Sequence, residues 1–199
     1  MRGLRAVAIA TLLLAFVAST LGQDSPVQAA KKPIRNPRAS GASCRFDFER
    51  GEVPDCIRAT ATGKRFIAPR YLRELSFDSY GLSAVSSNDD EWMYVNRRGR
   101  VLVSGVATCD NWADSFHDGV VRIIRNGKYG FANRKGQVVA APIYDGALIF
   151  ERGHAKVCKG CEERCAEHEC EYHVLVGGTW FEINTKGGSV PISTPEYAR

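Results

Sequence analysis

Three segments of the chain repeat one short motif, in which an aromatic residue is followed four positions later by asparagine and seven positions later by glycine. The three copies comprise Trp92, Asn96 and Gly99; Tyr129, Asn133 and Gly136; and Trp180, Asn184 and Gly187. Similar segments that recur at a period of roughly 20–50 residues indicate an array of small units, each burying its apolar side against its neighbours. The motif therefore constrains the whole architecture.

The best copy of the unit, residues 116–150, contains two turn signals. Asn126-Gly127 predicts a type I′ β-hairpin, because both central residues of that turn need a positive φ. Segment 133–136 predicts a second turn, in which the Asn side chain bonds the backbone two residues further on. Each unit is expected to be a strand, a hairpin turn, a return strand with the aromatic residue, an Asn turn and a third strand.

The predicted fold class is all-β, because apolar runs of four to eight residues alternate with turn residues and no helical period is sustained. We expect tandem three-strand units in an antiparallel repeat array. About three units, 78–115, 116–150 and 151–190, follow an amino-terminal partial unit, 44–77, in a domain that spans 44–190, and a tail covers 191–199. The aromatic residues of the return strands alternate onto common faces, where we expect them to form a shared core.

Segment 116–150 resembles the WG-repeat family of bacterial exported proteins almost throughout, with Tyr129-Gly130 in the place of the family's Trp-Gly pair. The flanking copies, Trp92-Met93 and Trp180-Phe181, keep the Trp and lose the Gly. The resemblance implies a β-repeat fold and an extracytoplasmic module, and it implies no catalytic residues and no cofactor. The expected partner is an unknown protein or glycan of the cell envelope.

The first residues have the pattern of a secretory signal peptide. Arg2 and Arg5 precede an apolar run that ends near Leu21, which is shorter than the roughly 20 residues that a membrane span prefers. The predicted signal covers 1–22, with cleavage as late as residue 30 as an alternative. Removal of the signal leaves no stable membrane span, so we expect a periplasmic or secreted bacterial protein.

A flexible, basic, proline-containing arm is predicted at 23–43. The excess of basic over acidic residues lies in this arm and in the signal peptide. The formal net charge of +5 arises there, since acidic and basic residues balance from residue 44 onward. A basic nucleic-acid-binding domain is therefore not supported.

The chain has seven cysteines, and an exported protein uses cysteines mainly as disulfides. Cys44 and Cys56 bracket a hairpin-like stretch and are expected to pair. In the last unit the strand that ends near Val157 is expected to return near His173, which predicts a nested pair, Cys158–Cys170 and Cys161–Cys165. Cys109 remains, as a buried free thiol or an intermolecular bridge.

A zinc site is the alternative for the same cysteines. Its candidate ligands are Cys158, Cys161, Cys165, Cys170, His168 and His173. Four thiolates, or thiolates mixed with imidazoles, form the tetrahedral set that zinc prefers. Cys158 and Cys161 have the spacing of a first zinc-ligand pair, whereas the gap from Cys161 to Cys165 is too short for a zinc ribbon. Redox chemistry at Cys158 and Cys161 is a third and weaker alternative.

The insertion that carries this cluster is also the expected interaction site. Its residues Glu162, Glu163, Arg164 and Glu167 would form an acidic projection, for which a stiff solvated loop is the simpler interpretation.

No enzyme motif occurs, and we expect no catalysis. An unrecognised hydrolase using Ser115, His117 and Asp118 remains a second alternative. Neighbouring residues of one turn do not converge on one substrate atom as a catalytic triad does.

Overall fold

The computed structural model describes residues 41–46, 51–109, 111–166 and 173–198, without the side chain of Cys109. The predicted signal peptide and almost all of the basic arm lie outside these residues. Within the described ranges, no helix has the length and apolar character needed to cross a membrane.

Strands account for nearly all of the regular structure, which confirms the predicted fold class. Two short 3-10 helices, Pro69–Tyr71 and Glu196–Ala198, accompany them. The strands are β1 (Ala42–Arg45), β2 (Val53–Ala59), β3 (Arg65–Ile67), β4 (Leu82–Ser87), β5 (Trp92–Asn96), β6 (Val101–Val106), β7 (Thr108–Cys109), β8 (Trp112–Ala113), β9 (Val120–Arg125), β10 (Lys128–Asn133), β11 (Val138–Tyr144), β12 (Gly146–Ala147), β13 (His154–Lys159), β14 (Glu162–Cys165), β15 (His173–Val176), β16 (Thr179–Asn184) and β17 (Ser189–Ile192).

Consecutive units build one curled antiparallel sheet of nine strands, in the order β11-β10-β9-β6-β5-β4-β1-β2-β3. A second sheet has the order β12-β13-β16-β17, and the hairpins β14–β15 and β7–β8 are separate. Each predicted unit is a three-strand meander: β4 to β6, β9 to β11, and β13 with β16 and β17. The partial unit supplies β1 to β3.

Both predicted turns of the second repeat are present. Asn126 and Gly127 have φ values of 51° and 72°, as a type I′ hairpin requires. The Asn133 side-chain oxygen accepts hydrogen bonds from the backbone N–H groups of Lys135 and Gln137, both at 3.0 Å. The same two bonds recur at Asn96 and Asn184, so the three Asn turns are equivalent.

The turn glycines join one unit to the one before it. A Cβ atom on Gly136, whose φ is 81°, would lie 2.1 Å from the backbone oxygen of Leu102 in β6. A Cβ atom on Gly187, whose φ is 84°, would lie 2.3 Å from the backbone oxygen of Val139 in β11. Each Asn turn thus packs on the third strand of the preceding unit at a distance that leaves no space for a side chain.

Aromatic residues pack at the boundaries between units, but the predicted single core of return-strand aromatics is wrong, because Trp92, Phe131 and Trp180 lie in three separate core clusters. The Phe131 and Phe150 rings are 4.8 Å apart in an edge-to-face arrangement, and the Tyr94 and Phe116 rings are 4.7 Å apart. In both pairs a phenylalanine at a unit boundary packs on the return strand of the unit before that boundary. Trp180 is also fully buried.

A change of register between β10 and β11 in the second repeat leaves room only for glycine at position 130. The register changes from Tyr129 opposite Tyr144 to Phe131 opposite Ala140, which leaves extra residues of β11 facing Gly130. A Cβ atom on Gly130 would lie 2.6 Å from the backbone nitrogen of Pro142. In the last repeat β17 runs opposite β16 without a bulge, so Phe181 occupies this position.

Candidate functional site

The first disulfide has the predicted pairing. Cys44 and Cys56 join β1 to β2 with their Cα atoms 5.6 Å apart, and both residues are fully buried. They lie in a core cluster with Val85, Met93 and Val95, so this bond is part of the amino-terminal end of the array.

The nested pairing predicted for the last repeat is wrong. Cys158 is bonded to Cys161, with a Cα separation of 5.9 Å, so neither the Cys158–Cys170 nor the Cys161–Cys165 bond can form. Cys158 lies opposite Trp180 in β16, because β13 pairs with β16 and not with the returning strand of the insertion. A tight turn at Gly160, with a φ of 69°, then brings Cys161 back to Cys158.

The remaining cysteines are described only in part. Cys165 lies opposite His173 and is itself disulfide-bonded. The predicted positions Cys170, His168 and Glu167 lie outside the described residues, as does the side chain of Cys109.

The insertion is a two-stranded hairpin, β14 and β15, with the Cys158–Cys161 bond at its base; we call this element the crosslinked hairpin. The bond packs against Trp180, Ala198 and Leu175 in a small core of its own. The Trp180 indole N–H donates to the backbone oxygen of Gly177 at 2.8 Å. The hairpin base is therefore a packed structure.

Asp145 ties the base of the hairpin to the second repeat. One of its carboxylate oxygens accepts a hydrogen bond from the Gly160 N–H at 2.8 Å, and the other pairs with the Lys128 ammonium group. The Lys128 hydrogen bond, followed by the Gly160 N–H, lowers the pKa of Asp145 from its ordinary value. The carboxylate is thus held charged where it bridges the two elements.

The outer strand of the crosslinked hairpin is exposed along its length, and it carries three of the four predicted interaction residues, Glu162, Glu163 and Arg164. Arg164 pairs with Glu162 at 3.3 Å. The pKa of Tyr129, in the second repeat, is raised first by burial and then by the charge of the Glu163 carboxylate. The hairpin therefore presents charged side chains beside the repeat scaffold.

A cleft of about 530 Å³, the outer cleft, lies on the outward face of β13 and β16. Its charged lining includes His154 and Glu182, which pair at 3.2 Å, and Lys156, whose ammonium group is 5.5 Å from the centre of the Tyr197 ring. Sequence reasoning missed this cleft. The available signal was the alternation of His154 and Lys156 on a strand whose other face, at Ala155 and Val157, is apolar.

The other predicted chemistries find less support. The sulfur atoms of Cys158, Cys161 and Cys165 are in disulfides, whereas zinc binds thiolates. No group of three or more His, Cys, Asp or Glu side chains in the described ranges is placed to hold a metal ion. In the Ser115, His117 and Asp118 set, the Asp118 carboxylate accepts a hydrogen bond from the Gly153 N–H at 2.7 Å, which links two successive turns of the array.

Comparison with known families matches the WG containing repeat to residues 129–160. This segment is similar to the WG containing repeat. The matched segment begins at Tyr129 in β10 and ends at Gly160, in the turn before β14. No curated protein matches the chain. The crosslinked hairpin thus starts where the matched repeat ends.

Proposed function

We propose that this chain is an exported, non-catalytic β-repeat protein that binds a protein partner at the cell envelope through the crosslinked hairpin and the outer cleft. The observation that carries the proposal is that the hairpin is anchored at its base, by Cys158–Cys161 and by Asp145, while its outer strand is exposed. A binding element that is already ordered loses less conformational entropy when a partner binds.

The chemistry of the two surfaces favours a protein partner. Glu162 and Glu163 stand on the hairpin, while Arg122, Lys156 and Glu182 line the outer cleft. Mixed charges beside an aromatic ring, here Tyr197, are typical of surfaces that select a partner by electrostatic complementarity. In the described part of the chain β14 pairs with β15 alone, so its other edge offers a place where an extended segment can add.

Two features support export. Disulfides form and persist in oxidising compartments, and Cys44–Cys56 and Cys158–Cys161 are both bonded. The start of the sequence has the composition of a secretory signal. A periplasmic or secreted location follows from these two features as part of the proposal.

Site-specific photocrosslinking in intact cells tests the proposal. A photoreactive residue at Glu163 should capture one protein partner, whereas the same residue at the exposed Lys64, in the partial unit, should not. Reversing the hairpin charge with Glu162→Lys and Glu163→Lys, tested with the photoreactive residue at Arg164, should reduce capture at least tenfold. Equal capture from Lys64 and Glu163, or capture unaffected by the charge reversal, would contradict a binding role of this hairpin.

Counting free thiols separates this proposal from the zinc alternative. With Cys44, Cys56, Cys158, Cys161 and Cys165 in disulfides, the native protein should show at most one reactive thiol. Five or more reactive thiols together with bound zinc would support the metal site.

A further inference from the structure

A second concave site lies at the opposite edge of the array, where the opening turns and Asn turns meet. This turn-edge groove has a volume of about 420 Å³ and runs between the first and second repeats. Rings of Tyr80, Tyr94, Trp112 and Phe116 line it. Four serines, Ser76, Ser79, Ser83 and Ser115, also line it.

Arg134 is the cationic residue of the turn-edge groove, whose lining also includes the Asp78 carboxylate. Its guanidinium carbon is 3.7 Å from the centre of the Tyr80 ring and 5.0 Å from the centre of the Phe116 ring, so the cation lies between two aromatic faces. Its Nε atom is buried and has no hydrogen-bond partner. Among the described residues no carboxylate pairs with this guanidinium, so its terminal N–H groups remain available for an anionic ligand.

The other units show that this arrangement is specific to one interface. Arg97 occupies the same turn position in the first repeat and stacks on Phe77, 5.2 Å from the ring centre, but within the described part of the chain no second ring stacks on it. The last repeat has Thr185 at this position. At Arg134 an aromatic side chain of the preceding unit, Tyr80, completes the stack, which no other Asn turn shows among the residues that the structure describes.

The polar groups around Arg134 indicate what kind of anion fits. The Asp78 carboxylate already accepts hydrogen bonds from the N–H groups of Tyr80 and Leu82, and the Tyr94 hydroxyl donates to the backbone oxygen of Asp114. These Asp78 bonds use one carboxylate oxygen, Oδ1, so what remains is ring faces, serine side chains, one guanidinium and the second Asp78 oxygen. Ring faces pack on the C–H face of a sugar, hydroxyls exchange hydrogen bonds with sugar hydroxyls, and a guanidinium binds a carboxylate through two parallel bonds.

We infer that the turn-edge groove binds an acidic sugar, whose carboxylate pairs with Arg134 and whose ring packs on Tyr80. Tyr80 is 65% exposed, so its ring has a free surface to offer. This site is distinct from the crosslinked hairpin and the outer cleft, so it adds a carbohydrate-binding activity to the proposed partner binding.

Calorimetric titration of the full chain with tetragalacturonate tests the inference. Tetragalacturonate should bind, and its methyl ester, which has the same rings without the charges, should bind at least tenfold more weakly. Arg134→Gln and Tyr80→Ala should each weaken tetragalacturonate binding at least tenfold. Tyr80→Ala removes an exposed side chain, so this variant is expected to fold even if Arg134→Gln does not.

The matched control is Lys135→Gln, which removes the same charge from the next position of the same turn, outside the groove. It should leave the affinity within about twofold. Absence of tetragalacturonate binding would overturn the inference. So would equal affinity for inorganic phosphate or for a tetraglutamate peptide, since either result would show that the groove selects charge without recognising a sugar.

Discussion

The second and last repeats are built on the same three-strand scaffold but join their first two strands in different ways. In the second repeat, Asn126 and Gly127 alone connect β9 to β10. In the last repeat, the crosslinked hairpin is inserted between β13 and β16. The Asn turns, at Asn133 and Asn184, are nevertheless alike, as are the contacts of Gly136 and Gly187 with the preceding unit. The difference shows that the stacking of units depends on the edge that carries the Asn turns. The opposite edge, where the first two strands of a unit are joined, is therefore free to carry an insertion.

The largest expected effect comes from the turn glycines. Gly136→Ala and Gly187→Ala should each lower the free energy of unfolding by about 2–5 kcal/mol, because a methyl group would combine an unfavourable φ with overlap on the preceding unit. Gly127→Ala is the control, since a Cβ atom there has nothing within 4 Å and only the φ cost of about 1–2 kcal/mol applies. Urea denaturation measures all three. If Gly187→Ala costs no more than Gly127→Ala, the last repeat is not stacked like the second.

A smaller difference is expected between the two disulfides. Replacing Cys44 and Cys56 by Ala should cost about 3 kcal/mol, whereas replacing Cys158 and Cys161 should cost about 2 kcal/mol, because the shorter loop restricts the unfolded chain less. Their sequence separations are 12 and 3 residues. Urea denaturation of the two double variants checks the order. A larger loss for the Cys158 and Cys161 variant would mean that the insertion stabilises the scaffold.

The smallest expected effect is electrostatic and concerns the contact between the crosslinked hairpin and the second repeat. Burial, and then the Glu163 carboxylate, raise the pKa of Tyr129. Because the folded protein holds the phenol proton more tightly than the unfolded chain, the free energy of unfolding has its full value below the phenol's ordinary pKa of about 10. It decreases as the pH rises from there through the folded-state pKa. Glu163→Gln should lower the pKa of Tyr129 in a phenolate absorbance titration, whereas Glu162→Gln should not. An unchanged titration in Glu163→Gln would show that the hairpin stands away from the second repeat.

The scaffold of the fold is predictable from the sequence, because its signals are local. Asn126, Asn133 and their glycines specify turns within a few residues, through positive φ values and short side-chain hydrogen bonds. The Cys44–Cys56 pair was predictable for a related reason, since the two cysteines bracket one hairpin.

The candidate sites were less predictable. The spacing of the cysteines from 158 to 170 permits several pairings, and the choice depends on the register of β13 against β16, which places Cys158 opposite Trp180. The turn-edge groove combines Tyr80, Phe116 and Arg134 from two units. Aligning the repeat copies reveals Arg97 and Arg134 at one turn position, but it does not reveal the tyrosine that completes the stack.

The sequence by itself determined the unit: its strands, its two turns and the aromatic residue that each return strand buries. Only the tertiary structure decided which cysteines meet at the hairpin base and which side chains converge on Arg134. The physical reason is that a turn forms by hydrogen bonds and backbone angles within a few residues. The pairing of distant strands and the stacking of units depend instead on the burial of side chains that are far apart in the chain.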